Sequence, residues 1–114
     1  MFELWPQPGQ GPRYFDLAAG LRDELATIEG FVSVERFERI GAPGKCLSLS
    51  FWRDEAAVVA WRNRTAHRAA QEAGRAAVLA DYRLRVAHVL RDYGMRSREQ
   101  APADSNHHHA KAHP

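Results

Sequence analysis

The order of segments with strand-like and helix-like spacing of apolar residues limits the possible folds of this chain more than any other feature. Four segments alternate with the period of two that is typical of strands: Phe2–Trp5, Phe31–Ile40, Cys46–Trp52 and Tyr82–Leu90. Apolar residues recur at helical spacing from Tyr14 to Ile28, between the first two of these segments. A second helix is predicted between the third segment and the last, so the element order is β-α-β-β-α-β.

Residues with special backbone preferences mark the boundaries of these elements. Pro12 suits the first turn of the first helix, and Gly30 is placed to end it. The turn at 41–44, Gly-Ala-Pro-Gly, joins the two middle strands into a hairpin. Asp54 is a good N-cap for the second helix, which Asn63 or Thr65 is expected to interrupt.

This element order predicts an α+β fold of the ferredoxin-like type. Two βα units around a central hairpin form a four-stranded antiparallel sheet with both helices on one face. Since the chain has no further element to cover the other face, a second copy packing sheet against sheet is expected.

Composition separates the chain into a domain at residues 1–94 and a tail at residues 95–114. The stretch from Arg96 onwards has no Leu, Ile, Val, Phe, Tyr or Trp, and it is expected to stay flexible. It carries four histidines, at 107–109 and 113, that would bind a metal ion only opportunistically.

Several classes of function are disfavoured by charge and composition. A net charge of +2 is too small to indicate a nucleic-acid partner. The longest apolar run, Ala56–Trp61, is far shorter than the roughly 20 residues that span a membrane. The N-terminus lacks the features of a secretory signal, and the single Cys46 excludes an intramolecular disulfide, so a cytoplasmic protein is expected.

Five stretches of the chain are similar to the antibiotic biosynthesis monooxygenase superfamily: Gly30–Phe37, Leu47–Ala57, Ala60–Arg62, His67–Arg68 and Gln71. The resemblance runs from Phe2 to Tyr93 and implies a dimeric α/β barrel of two ferredoxin-like protomers. It also implies a pocket between helices and sheet in which a flat, quinol-type aromatic molecule is oxidised by O₂ without a cofactor or metal. A non-catalytic, dimeric small-molecule-binding or stress protein is an alternative.

Six side chains are predicted to line this expected pocket. His67 and Tyr82 are predicted to carry protons for the reaction, since imidazole and phenol groups exchange them. Trp61 and Trp52 are predicted to stack on the substrate, with Gln71 and Arg64 as polar contacts. For each of them ordinary core packing or a solvated helix face is the alternative.

Haem binding or haem degradation is a further alternative. Haem-degrading members resemble this chain at Trp61, but their first-strand asparagine aligns near Phe2 and their axial histidine near Gln71. Two of three motif positions therefore differ. His67, one helical turn before Gln71, would ligate iron only if the helix were shifted.

Overall fold

Alternating strands and amphipathic helices build an α+β domain in the computed structural model, which describes residues 1–71 and 78–112, with side chains for residues 1–64 and 78–110. The elements are, in order, β1 (Phe2–Pro6), α1 (Gly11–Gly20), α2 (Arg22–Ala26), β2 (Phe31–Glu38), β3 (Cys46–Trp52), α3 (Glu55–Gln71), β4 (Leu79–Leu84) and α4 (Ala103–Ala112). The strands form one antiparallel sheet in the order β2-β3-β1-β4. The predicted ferredoxin-like sheet is therefore confirmed.

The register of the strands divides the sheet into two faces. Leu4 pairs with Cys46 and with Tyr82, while Phe2 pairs with Ser48 and Leu84, so these side chains share one side. We call this side the helix-facing side, because Leu4 is fully buried there and Trp52 contacts Trp61 of α3.

The opposite face of the sheet carries apolar side chains that are only partly covered, beside charged ones such as Glu3 and Glu35. Its side chains include Trp5, Phe37, Leu47, Leu49 and Phe51, and we call this set the open face. Phe37 is 47% exposed and Phe51 is 44% exposed. Such a patch is typical of a surface that binds another protein chain.

The first helix is divided where a single one was predicted. α1 ends at Gly20 and α2 begins at Arg22, with the amide of Leu21 bonded back to Ala18 in a tighter turn. Glycine is a poor helix former, which accounts for the break at this position. The apolar stripe survives it, because Ala18, Leu25 and Ile28 are all buried.

The second helix and the last strand also depart from the expected bounds. α3 continues through Asn63 and Thr65 without interruption. β4 begins at Leu79 and ends at Leu84, earlier than the predicted Tyr82–Leu90. The pairing stops there because the partner strand β1 begins at Phe2, leaving the chain beyond Arg85 with no strand to bond.

A short helix in the C-terminal segment was not predicted. α4 is tied to the preceding turn by Arg98, which donates to Ser105 Oγ at 2.8 Å, to Asn106 Oδ1 at 3.1 Å and to the Gly94 carbonyl at 3.2 Å. The division into residues 1–94 and 95–114 stays a prediction. No helix in the described ranges is both long and apolar enough to cross a membrane.

Candidate functional site

Two tryptophans meet where β3 leads into α3. Trp52 is the last residue of β3, and Trp61 lies about two turns into α3. Their ring centroids are 6.5 Å apart with planes 30° from parallel, and Phe31 packs edge-on against Trp52 at 5.2 Å. We call Phe31, Trp52 and Trp61 the aromatic cluster. The structure thus brings together the two tryptophans that the sequence places in a pocket wall.

The start of α3 is fixed by the predicted N-cap. Asp54 Oδ1 accepts a hydrogen bond from the Ala57 amide at 3.0 Å. This bond and one from Arg53 lower the pKa of the Asp54 carboxyl. Because α3 begins directly after β3, Trp61 is held over the end of the strand that carries Trp52.

A close backbone contact sets β2 against α3. Gly30 has φ +90°, and a Cβ atom at this position would lie 2.8 Å from the Cβ of Ala57. The Gly30 carbonyl accepts the Arg53 amide at 2.7 Å. Only glycine combines this backbone conformation with so close an approach, and the contact holds Phe31 at the aromatic cluster.

Hydroxyl groups lie beside the aromatic cluster on the helix-facing side. Trp52 Nε1 donates to Ser50 Oγ at 2.9 Å, which fixes the orientation of the indole ring. Ser48 lies two residues before Ser50 on the same side of β3, and it is paired with Arg36 of β2. The site therefore combines a flat apolar wall with groups that can hydrogen-bond a ligand.

A polar group at the other end of this side of the sheet was not predicted from the sequence. Tyr14 of α1 is half-buried near Arg36 and Cys46, and burial raises the pKa of Tyr14, although a hydrogen bond with Arg36 and its charge oppose the rise. Burial likewise raises the pKa of the Cys46 thiol, with a smaller contribution from Glu38. One sequence signal could have identified this group: Arg36 is a charged residue on the helix-facing side of the predicted β2 strand.

The other predicted site residues occupy different surroundings. Tyr82 is 61% exposed, and its ring packs edge-on against Phe2 at 5.5 Å. Arg64 is exposed and donates to Thr27 Oγ1 at 3.0 Å, just after α2. The side chains of His67 and Gln71 lie outside the described residues. The roles predicted for all four stay predictions.

Within the described ranges, no group of three or more His, Cys, Asp or Glu side chains could hold a metal ion.

The family model for antibiotic biosynthesis monooxygenases matches residues 1–73. The chain therefore belongs to this family, as the quoted stretches predict. Its fold also resembles the crystal structure of PA3566 from Pseudomonas aeruginosa, with a TM-score of 0.59 and 19% identity over 75% of this chain and 90% of that one. At this identity the likeness supports the fold alone.

Two curated proteins are similar in sequence to this chain. The chain is 51% identical over 89 residues to a protein of Pyricularia oryzae called jasmonate monooxygenase ABM, covering 78% of this chain. The chain spans only 41% of the length of that relative. It is also 39% identical over 78 residues to the uncharacterized protein YqjZ of Bacillus subtilis, covering 68% of this chain and 67% of that one.

Proposed function

We propose that this protein is a monooxygenase that oxidises a small, flat, quinol-type molecule on the helix-facing side of its sheet, without haem or a metal. The family and the name of the relative from Pyricularia oryzae support a general monooxygenase function. The observation that carries the proposal is the contact between Trp52 and Trp61, whose ring planes are 30° apart and offer aromatic surface on which a flat ring can stack.

The chemistry needs no electron source besides the substrate. An anthrone-type methylene and one O₂ give a quinone carbonyl and one water, so the substrate carbon loses four electrons and O₂ gains them. The protein would orient the ring against the aromatic cluster and keep bulk water away from the carbanion. The proton carriers predicted for this step, His67 and Tyr82, stay predictions.

Oxygen uptake with anthrone tests this function. Trp52→Ala is expected to lower kcat/KM about two- to tenfold, because stacking of an aromatic pair contributes about 0.5–1.5 kcal/mol beyond its buried area. Tyr93→Ala is the control, since Tyr93 is an aromatic residue outside the sheet that is 43% exposed and packs against Arg98. Absence of uptake in the wild-type protein, or equal losses in both variants, would contradict the proposal.

Jasmonate is the second substrate to test, because it appears in the name of the relative that is 51% identical. The same oxygen electrode and the same two variants apply. Turnover of jasmonate but not anthrone would keep the monooxygenase function and replace the quinol-type substrate.

We further propose that the working form is a homodimer. The open face exposes Phe37 and Phe51 in part, and a second copy packing its own open face there would bury both sets of side chains. A small domain gains stability from such an interface. Haem binding, a non-catalytic binding role and a cytoplasmic location stay predictions of the sequence.

A further inference from the structure

Arg36 is a half-buried cation for which the proposed oxidation has no role. It lies on the helix-facing side of β2, in register with Ser48 of β3. Its Nε atom is shielded from solvent and has no hydrogen-bond partner within the part of the chain that the structure describes. An N–H group that is shielded from water is costly unless it is hydrogen-bonded, and the positive charge of the guanidinium favours an anionic acceptor.

None of the ion pairs seen in the described ranges includes Arg36. They join Lys45 and Arg85 to Glu3, and Arg53 to Glu29 and Asp54. Glu38 follows two residues after Arg36 on the same side of the strand, yet it is exposed and forms no ion pair with it within those ranges. The neighbour that Arg36 does have is the uncharged hydroxyl of Tyr14.

The distance from Arg36 to the aromatic cluster limits the size of a ligand that could place a ring on the cluster and an anionic group at Arg36. Ser48, the partner of Arg36, and Trp52 are four residues apart on β3. At about 3.3 Å per residue this separation is roughly 13 Å between Cα atoms, and the long arginine side chain can shorten the gap. A flat ring joined to an anionic group through a few carbon atoms fits such a span.

We propose that Arg36, together with the Tyr14 hydroxyl, binds a carboxylate of the substrate whose ring lies against Trp52 and Trp61. This inference rests on the proposed function, because it assumes that the ring of the substrate occupies the aromatic cluster. Two N–H groups of a guanidinium match the two oxygens of a carboxylate, and the phenol adds a third donor. The substrate class is therefore a ring-bearing carboxylic acid.

Calorimetric titration with 4-(1-naphthyl)butanoate and with its uncharged amide tests the inference. The wild-type protein is expected to bind the acid about tenfold or more tightly than the amide, as a charge-assisted hydrogen bond predicts. Arg36→Met is expected to remove this preference, and Arg36→Lys to retain part of it. Arg62→Met is the matched control, because Arg62 is exposed on α3.

The comparison of acid and amide in the wild-type protein does not depend on whether a variant folds. Equal affinity for the two compounds, failure of both to bind, or an unchanged preference in Arg36→Met would overturn the inference. Oxygen uptake separates it from the proposed function. If anthrone is turned over but the acid is not preferred, the proposed oxidation is supported and the role of Arg36 is refuted. If the acid is preferred, Arg36→Met abolishes the preference and no oxygen is taken up, the carboxylate site is supported and the oxidation is refuted.

Discussion

Replacement of Gly30 by alanine tests the close contact between β2 and α3. The added Cβ would lie 2.8 Å from the Cβ of Ala57, which is buried, and the residue would keep a φ of +90°. An L-residue in the left-handed region costs about 1–2 kcal/mol. Overpacking a buried contact costs about 1–3 kcal/mol more, and the lower entropy of the unfolded chain offsets about 0.4–1 kcal/mol.

The net loss in the free energy of unfolding is therefore about 1–4.5 kcal/mol. Urea denaturation followed by circular dichroism measures it, and each kcal/mol corresponds to about 4–8 °C in Tm for a domain of this size. Gly20→Ala is the matched control, because a Cβ atom added at Gly20 would meet no atom within 4 Å and the residue has no positive φ. We expect Gly20→Ala to change stability by less than about 1 kcal/mol.

The double variant Gly30→Ala, Ala57→Gly separates the two causes. It removes the Cβ–Cβ clash and keeps the backbone strain at residue 30. After the cost of placing glycine at position 57 of α3 is subtracted, the double variant should therefore recover the part of the stability loss that overpacking causes. A loss below about 1 kcal/mol for Gly30→Ala, or one equal to that of Gly20→Ala, would refute the reasoning.

Three further predictions concern the helix cap, the open face and the buried thiol. Asp54→Ala should lower Tm, whereas Asp54→Asn should keep it at neutral pH. The pKa of Asp54 is lower in the folded protein than in the unfolded chain. The carboxylate therefore stabilises the fold above its unfolded pKa, and this stabilisation is lost as the pH falls through the folded pKa. Equal sensitivity of Asp54→Asn and the wild-type protein to acid would contradict this expectation. Phe51→Glu should give a monomer in sedimentation, while Ile40→Glu, at an exposed position in the turn after β2, should not; a monomeric wild-type protein would refute the dimer. Cys46 should react with a thiol reagent far more slowly in the native protein than in denaturant, because the thiol is buried and its pKa raised; equal rates would contradict its burial.

The fold was largely predictable because its signals are local. The alternation in β2 and β3, the turn at 41–44 and the cap at Asp54 each depend on a few neighbouring residues. The end of β4 was not predictable in this way. The sequence from Tyr82 to Leu90 continues to alternate, but a strand extends only as far as its partner, and β1 begins at Phe2.

The candidate site was predictable in part. Trp52 and Trp61 were assigned to one wall from the resemblance, and the structure places their rings together. Tyr14 and Arg36 were missed, because they are 22 positions apart and their pairing depends on how α1 crosses the sheet. In the sequence alone Tyr14 is one more apolar residue of a helical stripe, and Arg36 one charge on a strand.

The sequence by itself determined the order of the elements, the hairpin, the cap of α3 and the family of the chain. These properties follow from residue preferences and periodicities that act over a few positions. Only the tertiary structure decided where pairing of the last strand stops and which charged side chain is buried against the helices. Both depend on register and packing between distant segments, which the periodicity of a single segment does not encode.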